Sequence, residues 1–182
     1  MQWLARFIYS KILGWKLIGN TDFSKNTIQK AIIIVAPHTS WHDFYVCVLL
    51  RAMVNVKTHF IGKKSLFSYP FGWFLRRLGG SPVNRKLNEN KVETIVQLFN
   101  DKEEFRMALA PEGTRKKVLE WRSGFYFIAK QAKVPIIMLS LDYKNKENKV
   151  SAPFYPTFDM EEDFKFMHAF FKGVKGKNPE YS

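Results

Sequence analysis

The sequence predicts an α/β domain in which a central mixed, largely parallel sheet is flanked by helices. Short apolar runs rich in β-branched residues alternate along the chain with segments of helical periodicity. Two of these runs, residues 31–36 and 105–110, end directly on a proline, which stops a strand. With 182 residues, a single domain can bury a core without disulfides or metal ions.

Residues 1–19 predict an amphipathic helix, and the main domain is expected to take residues 20–182. At helical spacing one apolar face is formed by Leu4, Ile8, Ile12, Trp15 and Ile18. All charged residues of this segment are basic, which is typical of a membrane interface, where each adds about 1 kcal/mol near anionic lipid. Packing on the domain's own core explains the same pattern, and one helix can do both.

The other elements follow in order along the chain. Strands are expected at residues 31–36, 57–62, 105–110 and 134–141, at a short segment before Arg85, and at a sheet edge over residues 149–154. Helices are expected after Ser40 and at residues 90–100, 123–133 and 161–171. Residues 65–78 place aromatics around Pro70 and Gly72 and cannot form one regular helix. They are a candidate wall for an acyl chain or a second membrane contact, although core packing explains much of the pattern equally well.

Composition narrows the class of partner. The net charge of +13 implies an anionic partner, which can be nucleic acid, an acidic protein, a phosphate-bearing substrate or a membrane surface. Aromatic residues make up 16% of the chain, more than a core of this size needs, so some should face an apolar ligand or lipid. The single Cys47 lies in an apolar stretch and fits a buried position in a reducing compartment.

Residues 37–43 (PHTSWHD) lie at a predicted strand-to-helix turn. Ser40 followed by Asp43 is a helix-start signature. Because His38 leaves the strand end and Asp43 lies in the first helical turn, the carboxylate can hold one imidazole nitrogen and leave the other free to accept a proton. A simple helix cap at Asp43 and a satisfied turn histidine explain the same residues.

Residues 111–115 (PEGTR) repeat this layout after the strand at residues 105–110. If the two proline-ended strands and the strand before Arg85 are neighbours, one sheet edge gathers His38, Asp43, Arg85, Glu112 and Arg115. Arginine can hold a phosphate through two parallel hydrogen bonds, and Gly113 lets the backbone approach a bound group. Each residue taken singly has a simpler interpretation than a phosphate site. The arginines can be solvated, and Glu112 can pair with one of them.

Four segments resemble, in order and spacing, the motifs of the glycerolipid acyltransferases, most of all the bacterial 1-acylglycerol-3-phosphate acyltransferases. They are HTSWHD at 38–43, GK at 62–63 through VNR at 83–85, PEGTR at 111–115 and VPI at 134–136. The resemblance covers residues 32–137. The chain departs from many members at Pro37, where they carry asparagine, and at Lys116, where they carry serine.

The resemblance implies that His38 takes a proton from an acceptor hydroxyl as that hydroxyl attacks an acyl thioester, while Asp43 orients the imidazole. It implies a glycerol-phosphate site formed by Lys63, Arg85, Glu112, Gly113, Thr114 and Arg115. The expected donor is acyl-CoA or acyl carrier protein and the expected acceptor a lysophospholipid such as lysophosphatidic acid, used in phospholipid biosynthesis. No cofactor or metal is expected.

The expected location is cytoplasmic and peripheral, on the inner face of the membrane, with an anionic membrane surface as partner and no nucleic acid. No apolar run approaches the roughly 20 residues that cross a bilayer. The N-terminus also lacks the apolar block and cleavage site of a signal peptide.

Three alternatives stay open beside this one. Ser40 next to His38 fits a serine hydrolase, although the chain has no GxSxG elbow. His42 could compete as the base, although Cys47 stands where its partner carboxylate would fall. A non-catalytic basic module that binds membrane or nucleic acid explains the charge and the aromatics, but not HxxxxD and PEGTR at two strand ends.

Overall fold

The computed structural model describes residues 2–20, 28–70, 72–83 and 91–182. In chain order the described helices and strands are α1 Gln2–Phe7, β1 Lys16–Gly19, β2 Lys30–Ala36, α2 His42–Val54, β3 His59–Lys63, α3 Gly72–Arg77, β4 Gly80–Val83, α4 Lys91–Asp101, β5 Phe105–Leu109, α5 Gly124–Ala132, β6 Ile136–Ser140, β7 Glu147–Val150 and α6 Met160–Phe171. A π-helical turn at Ile8–Ile12 follows α1, and short 3₁₀ turns lie at Lys64–Phe67 and Pro179–Tyr181.

The strands of the described residues form one seven-stranded sheet in the order β1-β7-β6-β2-β5-β3-β4. β6 and β7 pair antiparallel, and the other five pairings are parallel. The predicted mixed, largely parallel α/β sheet with flanking helices is therefore confirmed. The central strand β2 lies between β5 and β6, so the first proline-ended strand sits in the middle of the sheet.

The period of two along β2 divides its side chains between two cores. Ile32 and Ile34 pack on one face of the sheet with buried side chains from α4, α5 and α6. Ala31 and Ile33 pack on the other face with buried side chains from α2 and the N-terminal segment. A strand buried on both faces reads as a continuous apolar run, as residues 31–36 do.

The predicted helix over residues 1–19 is wrong in its extent. Helical structure ends at Ile12, Gly14 takes a φ of +72°, and Lys16–Gly19 becomes strand β1, paired with β7. Trp15 consequently leaves the expected apolar face and is only 5% exposed in the core. The apolar residues after Gly14 match a helical period by coincidence, and pairing at the sheet edge decides their structure.

The N-terminal helix packs on the core and also presents apolar side chains to solvent. Ala5 and Tyr9, one turn apart, are buried. On the outer side the exposed side chains are Trp3, Leu4, Phe7 and Ile12. Packing on the core and an apolar face open to a membrane interface, the two interpretations of this segment, are therefore compatible within residues 2–12.

Two further expectations about strands are corrected. The last strand is Glu147–Val150, and it is not an edge strand because β1 pairs on its outer side. Strand β4 is not a neighbour of the two proline-ended strands, since β3 lies between it and β5. Arg85 lies outside the described residues, as does the side chain of Lys63.

Residues 65–78 are broken as predicted, into part of the 3₁₀ turn and α3. Phe67 is buried, whereas Tyr69 and Trp73 are 97% and 67% exposed.

No helix in the described part of the chain is both long and apolar enough to span a bilayer.

Candidate active site

Two loops meet at the carboxyl end of the sheet. The loop that contains His38 leaves β2, and the loop that contains Glu112 leaves β5. These strands are parallel neighbours, with Ile34 opposite Leu109. The predicted convergence of the two proline-led motifs is therefore present, at the edge where open α/β sheets place their ligands.

His38 and Asp43 form the predicted pair. The Nδ1 atom of His38 lies 2.9 Å from Oδ2 of Asp43. The same oxygen accepts the backbone N–H groups of Thr39 and Ser40, each at 2.9 Å. A carboxylate that accepts these bonds favours a proton on Nδ1, so Nε2 is left with its lone pair. His38 remains 26% exposed, whereas Asp43 is 2% exposed.

Asp43 therefore serves both as partner of His38 and as the group that closes the turn. Helix α2 begins at His42, and the carboxylate from its first turn reaches back to two preceding N–H groups. Asp43 is both a turn-closing residue and an orienting carboxylate, because its side chain accepts the backbone N–H groups and contacts the His38 ring at the same time.

Tyr143 is a further partner of Asp43 that sequence reasoning missed. Its hydroxyl donates to Oδ1 of Asp43 at 2.8 Å, across 100 positions of sequence. Burial and this hydrogen bond raise the pKa of Tyr143 far above its ordinary value, so the phenol stays a donor. Its ring meets the buried Trp15 edge-on, with centroids 4.9 Å apart. Nothing in the local pattern around Tyr143 marks this contact.

Ser40 and His42 pair with each other. Ser40 Oγ lies 2.9 Å from Nδ1 of His42 and accepts the His42 backbone N–H at 3.3 Å. The His42 ring also packs against Trp41, with ring centroids 4.2 Å apart and the ring planes inclined by 34°. Ser40 is 8% exposed, and the histidine that its hydroxyl contacts is His42 rather than His38. This geometry supports neither a Ser40 nucleophile activated by His38 nor a His42 base oriented by a carboxylate.

Glu112 contacts the His38 loop directly. Its two carboxylate oxygens accept the backbone N–H of His38 at 3.0 and 3.2 Å. Burial raises the pKa of Glu112 to about 7, although the hydrogen bond from His38 opposes that rise. The contact fixes the loop that carries the base, which gives Glu112 a positioning role in addition to the predicted place near a substrate.

The turn after Glu112 needs its glycine. Gly113 has a φ of +64°, and a Cβ there would come within 2.6 Å of Nε of Arg122. Arg122 is in turn held by its backbone N–H, which donates to the carbonyl of Pro111 at 2.9 Å. Sequence reasoning did not single out Arg122. Thr114 is partly buried and Arg115 is exposed, and both line the cavity described next.

A groove of about 680 Å³ opens beside the pair. One part of its lining is polar and includes His38, Asp43, Thr114 and Arg115. Another part is apolar and comes from α2, α3 and β3, with Phe44, Val48, Phe60, Ile61 and Leu75. The lining thus brings His38 together with apolar side chains and with the cations of Arg51 and Arg115.

The C-terminal segment is fastened to the His38 loop. Asn178 donates from its backbone N–H to Oγ1 of Thr39 at 3.1 Å and from Nδ2 to the Thr39 carbonyl at 3.0 Å. Gly176 lies so close that a Cβ there would come within 2.5 Å of Thr39 Oγ1. The sequence indicates only a basic tail at residues 172–182, so this contact was also missed.

Comparison with known proteins agrees with the fold and with the family that the sequence resembles. A family model described as Acyltransferase matches residues 18–142. Two bacterial proteins named 1-acyl-sn-glycerol-3-phosphate acyltransferase are similar in sequence. The one from Streptococcus pneumoniae is 27% identical over 133 residues, which is 69% of this chain and 48% of that protein. The one from Haemophilus influenzae is 28% identical over 143 residues, 75% of this chain and 57% of that protein.

One solved structure shares the fold. The 1-acyl-sn-glycerophosphate (LPA) acyltransferase PlsC from Thermotoga maritima superposes with a TM-score of 0.62 at 18% identity, over 93% of this chain and 74% of that one. The present chain spans about half the length of the two sequence relatives.

We expect Gly176→Ala to lower the free energy of unfolding by about 1–3 kcal/mol, because the new methyl group collides with Thr39 and displaces the tail or the loop. Gly124→Ala is the matched control, since a Cβ at Gly124 meets no atom within 4 Å. Urea unfolding followed by tryptophan fluorescence measures both. Equal stability of the two variants would contradict close packing of the tail on the loop.

Glu112→Gln should change the pH dependence of stability. Because the pKa of Glu112 is raised from 4.5 to about 7 in the folded protein, the unfolded chain releases this proton first, and the wild type loses stability as the pH rises through that window. The variant lacks this loss, so its stability relative to wild type should rise by about 3 kcal/mol from below pH 4.5 to pH 7.

Urea unfolding at a series of pH values measures this difference, with Glu180→Gln at an exposed position as control. A difference between wild type and Glu112→Gln that stays constant with pH would show that Glu112 is not perturbed by burial.

Proposed function

Since the chain belongs to the acyltransferase family, we propose that it transfers a fatty acyl group from an acyl thioester to the hydroxyl of a lysophosphatidic acid-like acceptor. The single observation that carries this proposal is the contact of His38 Nδ1 with Asp43 beside a groove whose lining combines apolar side chains with arginines. A general base, an apolar chain and a phosphate are the three elements that such a reaction brings together.

The proposed reaction needs one proton carrier. Nε2 of His38 accepts the proton of the acceptor hydroxyl as its oxygen attacks the thioester carbonyl carbon, and a tetrahedral intermediate forms. The C–S bond then breaks, and the imidazolium returns the proton to the leaving thiolate. Asp43 stabilises the imidazolium and keeps the ring in place, and no acyl-enzyme intermediate is required.

The apolar part of the groove is the proposed site of an acyl chain. Val48 and Phe60 face it from α2 and β3, and Leu75 is the contribution of the aromatic segment 65–78. Burial of methylene groups against such side chains supplies about 0.8 kcal/mol each. The donor that brings the chain is proposed to be acyl-CoA or acyl carrier protein, both anionic, in keeping with the net charge of +13.

The acceptor phosphate is proposed to bind at the turn after β5. Arg115 of the PEGTR turn lines the groove, and the Arg122 guanidinium lies against Gly113 of the same turn, so two cations are available there. Arginine is suited to bidentate contact with phosphate. Lys63 and Arg85, which the family resemblance also assigns to this phosphate, stay predictions.

The substrates imply contact with a membrane, and the N-terminal segment is the proposed contact. Its exposed Trp3, Phe7 and Ile12 share the segment with Arg6 and Lys11 and no acidic residue. Apolar side chains beside basic ones favour the interface of an anionic bilayer. We expect a peripheral association on the cytoplasmic face.

His38→Ala should lower acceptor-dependent thiol release from palmitoyl-CoA by about 100-fold or more, the scale expected when a general base is lost. His42→Ala is the matched control, because His42 pairs with Ser40 and should keep activity within about threefold. Thiol release is measured with lysophosphatidic acid present and absent, and then with acyl carrier protein donors and other lysolipids.

Equal loss in both variants would contradict the assignment of the base to His38. Absence of release with every donor and acceptor, together with vesicle binding that survives His38→Ala, would favour the non-catalytic basic module instead.

A further inference from the structure

A second cavity of about 510 Å³ lies apart from the groove, and it is lined by four lysines: Lys144, Lys146, Lys175 and Lys177. We call it the lysine pocket. Within the described residues it shares no lining residue with the groove, and no acidic side chain is among its lining residues. The nearby Asp142 directs its carboxylate oxygens to the N–H groups of its own turn, at Lys144 and Asn145.

The walls of the lysine pocket are ordered by specific contacts. Trp15 is 5% exposed and holds the Tyr143 ring edge-on. Lys177 places its ammonium 5.8 Å from the centre of the Tyr143 ring. Lys146 donates to the carbonyl of Leu13 at 3.1 Å. The lysines therefore surround a built concave surface, and converging like charges there favour a multiply bonded anion.

The position of the pocket indicates the source of that anion. Leu13 follows the π-helical turn directly and lines the pocket. Its neighbour Ile12 is 64% exposed. Trp3 and Leu4, earlier in the segment, are 75% and 52% exposed. The lysine pocket and the exposed apolar face therefore meet at one end of the N-terminal helical segment. A phospholipid in a bilayer likewise presents a phosphate next to its acyl chains.

We propose that the lysine pocket binds the phosphate group of an anionic phospholipid in the membrane on which the N-terminal segment lies. The proposal rests on the membrane contact proposed above, but it concerns a lipid that is neither acceptor nor product at the groove. Such a lipid would fix the orientation of the domain, with the groove held at a constant position relative to the bilayer.

The test compares two triple variants that each lower the net charge by three. The pocket variant carries Lys144→Gln, Lys175→Gln and Lys177→Gln, and it keeps Lys146 because of its bond to Leu13. The control carries Lys102→Gln, Lys130→Gln and Lys172→Gln, at positions on or directly after α4, α5 and α6, whose core lies on the opposite face of the sheet from the N-terminal segment.

Binding is measured by flotation with phosphatidylcholine vesicles, with and without phosphatidylglycerol, a lipid that is neither substrate nor product of the proposed reaction. The pocket variant should lose roughly 100-fold in partitioning onto the phosphatidylglycerol vesicles, and the control less than about tenfold. Thiol release in detergent micelles should stay within about threefold of wild type in both.

Other results would overturn the proposal. Equal loss by both triples would mean that diffuse charge, not the pocket, attracts the lipid. Binding of inorganic phosphate is titrated separately. If the pocket variant loses phosphate binding but binds the vesicles as the wild type does, the lysine pocket is a site for a soluble anion. Loss of thiol release in micelles would assign the lysines to the reaction itself. If the unchanged protein fails to bind these vesicles, the membrane contact falls as well, while the acyl transfer of the groove is tested separately by His38→Ala.

Discussion

The buried carboxylate of Asp43 is the interaction on which the rest of the site depends. A charge at this depth costs several kcal/mol unless hydrogen bonds compensate it. Four donors do so: the N–H groups of Thr39 and Ser40, the imidazole of His38 and the hydroxyl of Tyr143. Each donor that satisfies the charge is thereby fixed in space. The requirement for compensation at Asp43 is therefore what orders the loop around His38.

The donors link parts of the chain that are far apart in sequence. Tyr143 comes from the turn between β6 and β7, and its own N–H donates to the carbonyl of Lys175. Asn178 then holds Thr39 from the other side, and Glu112 holds the backbone of His38 from the end of β5. The base is consequently positioned by three remote segments as well as by its local turn. The sheet brings the turn after β6 and the loop after β5 next to the His38 loop, since β5, β2 and β6 are adjacent.

The sequence predicts those parts of the structure that a local residue pattern determines. The apolar run at residues 31–36, the proline after it and the helix start at Ser40 and Asp43 are local signals, and the strand-turn-helix follows them. Residues 1–19 mislead because Trp15 and Ile18 continue a helical period, whereas strand pairing with β7 and a positive φ at Gly14 decide the structure. Tyr143, Arg122 and Asn178 carry no local signal, because their contacts arise only when the sheet and the C-terminal segment assemble. The substrate-binding roles come from the family resemblance alone, and they stay predictions for all six residues, of which Arg85 and the side chain of Lys63 lie outside the described part of the chain.

The tautomer of His38 is the most direct test of this account. Nitrogen-15 NMR of the ring nitrogens of the uncharged imidazole, assigned with His38→Gln, reports which nitrogen carries the proton. The contacts of Asp43 predict that Nδ1 is protonated and that Nε2 carries the lone pair. A His38 ring protonated at Nε2 would contradict the account, since neither the Asp43 contact nor the proposed base would then exist as described.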